Sequence, residues 1–441
     1  MISYRKEKSD KFDMPRMNLI RRFLTYVIGV YCLFYFSFCQ ESLSAVLLFL
    51  GCGVFLICRK WNKEMALFHY VLCMWIVIAF HEYNIWAYGN YYYQGAFSDD
   101  YVYEQNSLSF YEDYGLNFWY IYHSIGFAHN SAGYVYVLAL LRWFGSWGDG
   151  YHVYLPKILN VFVLQWICYY VYKIAVELCK LPCVMVNRYL WVFAIYPALV
   201  NIASYVFRDT LVALFLIGVY YLLNREKRRW YDILMAFICC FMLFFFRAFT
   251  AYILFMLMLF YLCRPRNIKQ SLFIAGIVVL LLFVLFHELF LQMLNAMIKY
   301  NGMNVERLGG WGAKIFSLPL CWGAMPRVTF MLCNPIPTWS NISSLFAGIS
   351  CFLQIFSFPF VLKALMSRGV ASHLKITFVV LFLGVAFSTA SFRHITMYLP
   401  FGFLLFLCGR YEMSSRTRRY YMLLLGSIIF YVISMLFVVW L

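Results

Sequence analysis

Charged residues are scarce along this chain of 441 residues. Lys, Arg, Asp and Glu make up only 12% of it and 19 residues are acidic, whereas 64% are apolar. A soluble globular domain carries about twice that share of charge, so the composition excludes an ordinary soluble protein. The apolar residues recur in runs of roughly 17–25 residues, the length that a helix needs to cross a bilayer.

The alternation of polar and apolar residues that marks a membrane β-barrel is also missing. A backbone in lipid has to satisfy its own hydrogen bonds, so helices are the expected spanning structure. The sequence therefore predicts an all-α polytopic membrane protein with about thirteen transmembrane helices, at 20–38, 43–58, 65–86, 154–177, 186–205, 209–223, 231–246, 249–263, 271–292, 343–365, 375–392, 395–409 and 420–440.

The chain lacks a separate soluble domain, a low-complexity linker and a clear internal repeat. We expect a basic arm with two extra spans (1–64), a main transmembrane module (65–410) and a final span (411–441). Two long segments of the main module, 87–153 and 293–342, are expected on the outer side. The first contains residues 131–145, which predict an amphipathic helix on the outer surface. The first span lacks a small-residue cleavage site, which indicates an anchor instead of a removed signal peptide.

The net charge of +17 suggests nucleic-acid binding until the basic residues are placed along the chain. With the N-terminus in the cytoplasm, most of the 36 Lys and Arg residues fall in cytoplasmic segments. This distribution is the positive-inside pattern of membrane proteins. The basic excess therefore indicates orientation, with the C-terminus outside after thirteen spans, and no nucleic-acid partner is expected.

The 15 cysteines do not form a framework, because nearly all lie within predicted spans, where Cys serves as a small apolar residue. Cys179 and Cys183 have no His nearby, which argues against zinc. Cys321 and Cys333 share an outer segment. In an oxidising compartment they either form a disulfide or stay reduced.

Acidic residues are few, yet Asp99, Asp100 and Glu104 lie together in the first outer segment. Adjacent carboxylates repel each other, so each depends on a cation, a metal or a proton. Glu104 follows Asp100 by one helical turn, and it either shares the face of Asp100 or points to solvent. These three acids are the candidate catalytic residues.

Several ionisable residues outside the cytoplasmic segments lie close to apolar sequence, which is costly unless they are paired or functional. They are Arg208 with Asp209, Arg247 at the tip of a tight hairpin, Lys314, Arg327, and Arg393 with His394. His287 and Glu288 interrupt the run 271–292 and form a further candidate. The first group is expected on the face that carries Asp99. Because Arg presents a planar fork to phosphate oxygens, the sequence predicts a site for a phosphate-bearing lipid.

The order of these features resembles that of the GT-C-type membrane glycosyltransferases, which include protein O-mannosyltransferases and the aminoarabinose transferases of lipid A. Ser98-Asp99-Asp100-Tyr101-x-Tyr103 resembles their acidic motif in the first outer loop. Later short motifs in the sequence also resemble motifs of bacterial members: Gly133-Tyr134, Leu159-Asn160, Tyr196-Pro197, Arg208-Asp209, Phe246-Arg247, Pro326-Arg327, and Arg393-His394 with Pro400.

The resemblance covers about residues 85–410. Here two spans precede the one that leads to the acidic loop, Asp-Asp replaces the more usual Asp-Glu, and no large C-terminal outer domain follows. These departures leave the acceptor and the reaction open.

The resemblance implies a GT-C-like fold in a bacterial inner membrane and a polyprenyl-phosphate sugar as donor. An acceptor hydroxyl on a glycan, lipid or protein would attack it on the outer face. Asp99 is the expected base, Asp100 the second choice and Glu104 a further candidate. The expected phosphate ligands are Arg208, Arg247, Arg327, Arg393, His394 and Lys314, supported by Asp209, Tyr101 and Tyr103. A divalent metal, Mg or Mn, at Asp99 and Asp100 stays open.

Two other functions are compatible with the same sequence. A polysaccharide repeat-unit polymerase or ligase would use a lipid-diphosphate glycan, and the early acidic motif argues mildly against it. A lipid-glycan flippase or other transporter should place charges near the membrane midplane and often has two related halves. The sequence has no such repeat, and His287-Glu288 is its single midplane candidate.

Overall fold

The computed structural model describes residues 14–58, 63–93, 98–124, 131–263, 310–333, 342–388, 392–413 and 420–428, with a few single positions between 270 and 295. Within these ranges the protein is built from helices and turns and has no β-strand. The all-α prediction is confirmed for this part of the chain.

Sixteen α-helices have their bounds within the described ranges. They are α1 Met14–Phe34, α2 Leu43–Cys58, α3 Lys63–Tyr88, α4 Asp99–Tyr114, α5 Phe118–Ser124, α6 Ala132–Gly145, α7 Tyr154–Lys173, α8 Cys183–Ala194, α9 Pro197–Ala203, α10 Asp209–Asn224, α11 Trp230–Cys263, α12 Gly310–Ser317, α13 Leu320–Cys333, α14 Ile342–Met366, α15 Ser372–Ser388 and α16 Leu399–Met413. A 3-10 segment, Phe392–Met397, precedes α16.

Five helices among the described residues are long and apolar enough to cross a membrane: Leu19–Cys39, Glu64–Tyr88, Tyr154–Leu178, Trp230–Cys263 and Ile342–Met366. The bent pair Cys183–Ala194 and Pro197–Ala203, at 47°, would be a sixth. The chain is thus compatible with an integral membrane protein. The larger count of thirteen stays a prediction, because several expected spans are shorter helices and others lie outside the described ranges.

Although Trp230–Cys263 is counted as one span by its length and composition, helix α11 is a hairpin of two shorter arms and not one straight rod. The backbone of Arg247 leaves the helical region, with φ −164° and ψ 91°. The Sγ of Cys240 lies 3.7 Å from the carbonyl oxygen of Ala251, whereas a straight helix would separate these two residues by about 16 Å. Arg228 likewise donates to the carbonyl of Tyr261 across 3.4 Å. The predicted hairpin with Arg247 at its tip is confirmed.

Helix α6 confirms that a helix forms in the predicted range 131–145. Nine of the fourteen residues of Ala132–Gly145 are buried, and a Cβ on Gly133 would lie 2.9 Å from the ring of Phe246 at the hairpin tip. Arg142, on the same helix, donates to the Ser107 hydroxyl and the Glu104 carbonyl of α4, at 3.0 and 2.9 Å. The buried face of the helix therefore packs against protein, whereas Trp143 on the other face is 40% exposed. Its place on the outer membrane surface stays a prediction.

The N-terminal helices join the same core as the main module. Cys32, Phe36 and Phe49 are buried in one continuous apolar cluster with residues of α3 and α7. The Tyr35 hydroxyl lies 2.9 Å from that of Tyr154 at the start of α7, and their rings meet edge to face at 5.7 Å. The first two predicted spans therefore support the helix that leads into the acidic segment.

Candidate functional site

Asp99 and Arg393 form an ion pair between the first residue of α4 and the 3-10 segment. The Arg393 side chain is 12% exposed and that of Asp99 is 47% exposed. The guanidinium carbon of Arg393 also lies 5.0 Å from the centre of the Phe207 ring. Asp99 is therefore the accessible member of the pair, and Arg393 is held from two sides.

Arg247 connects the hairpin tip to two further elements. Its Nη1 donates to Asp209 Oδ1 across 2.8 Å, and its Nη2 contacts Nε2 of His394. A guanidinium can only donate, so the His394 nitrogen that it meets has to be the unprotonated acceptor. Asp209 and His394 are almost fully buried. The contact therefore fixes His394 as neutral imidazole.

Arg208 is the third arginine near Asp99 and precedes Asp209 in the chain. It donates to the hydroxyl of Ser131 and to the carbonyl of Phe246, and its guanidinium carbon lies 5.6 Å from the centre of the Tyr103 ring. We call Asp99, Arg208, Asp209, Arg247, Arg393 and His394 the arginine cluster. Its members come from four segments that are far apart in the sequence.

Asn160 of α7 positions the segment that carries Arg208 and Asp209. Its amide nitrogen donates to the carbonyls of Tyr205 and Phe207 at 3.0 and 3.2 Å, and its oxygen accepts from the Thr210 hydroxyl at 2.6 Å. All four hydrogen-bonding groups are buried, so each would be costly without its partner. This network locks the turn before α10.

The electrostatics of the arginine cluster favour an ionised Asp99. Burial raises the pKa of Asp99, but the charge and hydrogen bond of Arg393 and the charges of Arg208 and Arg247 outweigh burial and hold that pKa below its ordinary value. Burial and the same three arginines lower the pKa of His394 well below its ordinary value. The cluster thus combines one accessible carboxylate (Asp99), one buried carboxylate (Asp209) that pairs with Arg247, three cations and a neutral imidazole.

Asp100 does not share the surroundings of Asp99. It is 1% exposed, one of its oxygens accepts from the Ser98 hydroxyl and the other accepts from the Tyr93 backbone N–H at 2.9 Å. Burial raises the pKa of Asp100, against these hydrogen bonds. Its contacts fold the chain back at the start of α4, which favours a structural role and leaves Asp99 as the candidate base.

Glu104 also turns away from the arginine cluster. Its Oε2 accepts from the hydroxyls of Tyr91 and Tyr92, both at 3.0 Å. Tyr101 supports this arrangement, since its ring meets that of Tyr92 edge to face at 5.1 Å. Glu104 is only 6% exposed. The alternative that its side chain points to solvent is therefore wrong.

Two predicted phosphate ligands have other surroundings. Arg327 donates to the carbonyls of Phe316 and Leu318 at 3.0 and 3.1 Å, which closes the turn between α12 and α13. Lys314 is exposed on α12. In the described part of the chain, no contact joins either residue to the arginine cluster. His287 and Glu288 lie outside the described residues, as do the side chains of Cys321 and Cys333.

Sequence reasoning missed a buried cation close to the acidic segment. Lys157 is 1% exposed, and its Nζ lies 2.6 Å from Nδ1 of His81 and 5.3 Å from the centre of the Tyr91 ring. Lys157 lies in the first turn of the predicted span 154–177. A lone Lys flanked by apolar sequence was the signal that would have identified it.

A divalent metal shared by Asp99 and Asp100 does not fit this arrangement. Asp99 is paired with the Arg393 guanidinium, and the charges of Arg208 and Arg247 also act on it, so a cation there would be repelled. Both oxygens of Asp100 already accept hydrogen bonds. No group of three or more His, Cys, Asp and Glu side chains in the described ranges is placed to hold a metal ion.

Comparison of the chain with family models, with curated proteins and with solved structures finds no match.

Proposed function

We propose that the protein is a membrane glycosyltransferase that moves a sugar from a polyprenyl-phosphate donor to an acceptor hydroxyl. One observation carries this proposal: an accessible carboxylate, Asp99, is paired with Arg393 beside Arg208 and Arg247. A carboxylate can accept the acceptor proton, and arginines can stabilise the phosphate that leaves.

The Asp99–Arg393 pair suggests how donor binding would activate the base. A lipid phosphate in the arginine cluster would compete with Asp99 for the Arg393 guanidinium, because Arg binds phosphate by the same bidentate fork. The acceptor oxygen then bonds to the anomeric carbon, and the bond from that carbon to the phosphate oxygen breaks with its electron pair. The acceptor proton passes to Asp99, and the lipid phosphate leaves with its new charge facing the arginines.

The wider setting belongs to the same proposal. We propose thirteen spans in a GT-C-like arrangement, a cytoplasmic N-terminus and an arginine cluster on the extracytoplasmic face of a bacterial inner membrane. The apolar helices support a membrane location, and the basic residues support the orientation through the positive-inside pattern. The acceptor would be a glycan, a lipid or a protein.

Transfer from a labelled polyprenyl-phosphate sugar by membranes that contain the protein tests the proposal. Asp99→Asn is expected to reduce transfer by about 100-fold or more, the usual contribution of a general base. Asp113→Asn is the matched control, because Asp113 is an exposed acid on the same helix. Near-normal transfer by Asp99→Asn at normal protein levels would remove Asp99 from the reaction.

Two further measurements distinguish the proposed glycosyltransferase from a polymerase or ligase and from a transporter. Transfer of an oligosaccharide from a lipid diphosphate, with no use of the monophosphate donor, would identify a polymerase or ligase. Movement of a lipid-linked glycan across the membrane without glycosyl transfer would identify a transporter. Either result would replace the proposed function.

A further inference from the structure

A cavity of about 380 Å³ lies between α8, α13, α14, α15 and α16, apart from the arginine cluster. Its walls are mainly aromatic and aliphatic, with Tyr189, Phe356, Phe378, Phe403 and Phe406 among the lining residues. Ligand-binding cavities have volumes of about 300–1,000 Å³ and mostly apolar walls with a few polar groups. This cavity meets both criteria.

The cavity is elongated along one face of α16. Tyr398, Gly402, Phe406 and Arg410 all line it, and residues four apart in a helix share a face. Twelve residues of helix cover about 18 Å, so the cavity extends over most of α16. Arg393 precedes the start of this helix, whereas Arg410 lies near its end.

The two ends of the cavity differ in polarity from its middle. At one end the guanidinium carbon of Arg410 lies 5.7 Å from the centre of the Phe360 ring. At the other end Gln354, 6% exposed, accepts from the Tyr398 hydroxyl at 3.2 Å. The Gln354 amide nitrogen has no hydrogen-bond partner among the described residues. The apolar stretch is thus bounded by a cation and by an amide.

We propose that this cavity binds one acyl chain of an anionic phospholipid, with the phosphate at Arg410. The apolar walls accept the hydrocarbon chain, the guanidinium pairs with the phosphate, and Gln354 marks where the apolar stretch ends. Because Arg410 and Arg393 lie at opposite ends of α16, this lipid is distinct from the proposed sugar donor. The proposal therefore does not depend on the glycosyltransferase activity.

Native mass spectrometry of the full-length protein tests the proposal, after its equilibration with phosphatidylglycerol and phosphatidylcholine in equal amounts. The wild-type protein is expected to retain phosphatidylglycerol preferentially. Arg410→Gln should lower that preference about tenfold, as loss of one charge-assisted contact implies. Ser357→Leu, which places a larger side chain in the lining, should reduce the retention of both lipids.

Lys227→Gln is the matched control, since Lys227 is an exposed cation that does not line the cavity. It should keep the wild-type preference. Gel filtration of each variant establishes that it is folded before lipids are measured. Equal retention of the two lipids by the wild-type protein, or an unchanged preference in folded Arg410→Gln, would overturn the proposal.

Discussion

Arg247 donates to Asp209 across 2.8 Å, although 38 residues of sequence separate them. The side chains are 15% and 2% exposed. Arg208, the neighbour of Asp209, donates in turn to the carbonyl of Phe246, the neighbour of Arg247. These two reciprocal contacts fasten the tip of the α11 hairpin to the start of α10, so the arginine cluster is held at a helix–helix junction.

Asp209→Asn should destabilise the protein strongly. It would leave the Arg247 charge buried beside neutral His394, and removal of one partner from a buried ion pair costs about 3–5 kcal/mol. Thermal unfolding of the purified protein in detergent should show a clear fall in Tm. Asp209→Leu combined with Arg247→Met should recover part of the loss, because it removes both charges.

The surface pair Lys180–Glu226 provides the control for that comparison. Its side chains are 63% and 72% exposed, so solvent screens their attraction. Lys180→Gln should leave Tm within the error of the measurement. A similar fall in Tm for Lys180→Gln and Asp209→Asn would show that burial does not determine the strength of these pairs.

The Asp99–Arg393 pair should make stability sensitive to acid. The pKa of Asp99 is lower in the folded protein than its ordinary value, so its contribution to stability is present above about pH 4, the ordinary Asp pKa. That contribution is lost as the pH falls through the lower folded-state pKa. Asp99→Asn should therefore flatten the decrease of Tm below pH 4. The decrease should stay unchanged in Asp113→Asn.

Much of the fold could be predicted because its signals are local. Runs of apolar residues predicted the helices α3, α7 and α14, and the cation within the run 231–263 predicted the turn at Arg247. The neighbours that cover the apolar face of α6 could not be predicted, because they are α4 and Phe246, which lie far away in the sequence. An amphipathic pattern gives one apolar face, but it does not tell whether lipid or protein covers that face.

In the candidate site, too, local signals could be predicted and contacts between distant residues could not. Charge next to apolar sequence correctly singled out Arg208, Arg247 and Arg393 as residues that need partners, and the structure gives each of them one. The sequence could not establish the different surroundings of Asp99 and Asp100, because these depend on long-range folding: Asp99 meets Arg393 from the far end of the chain, whereas Asp100 is buried against Ser98 and the Tyr93 backbone. The role of Arg327 in closing a turn likewise depends on the backbone carbonyls of Phe316 and Leu318.

Lys157 should be essential for the packing of α4. The carboxylates of Glu104, Asp100 and Glu82 all act on its buried ammonium group. Lys157→Met would leave these acids without that charge and should lower Tm. Glu104→Gln combined with Lys157→Met should destabilise less than the sum of the two single changes, with a coupling of about 0.5–3 kcal/mol. Exact additivity in such a double-mutant cycle would show that the two side chains do not interact.

Gly133 should tolerate no side chain, because α6 meets the hairpin tip there. A Cβ would lie 2.9 Å from two carbons of the Phe246 ring and 3.0 Å from Cβ of Phe245. Gly133→Ala should therefore push the tip away from α6, disturb the Phe246 carbonyl that accepts from Arg208, and lower both Tm and glycosyl transfer. Gly51→Ala is the matched control, since Gly51 lies within α2 with nothing within 4 Å of its Cβ position. It should raise stability slightly, by about 0.5–1 kcal/mol, the usual advantage of Ala over Gly in a helix. A stable, active Gly133→Ala protein would contradict the close packing of α6 against Phe246.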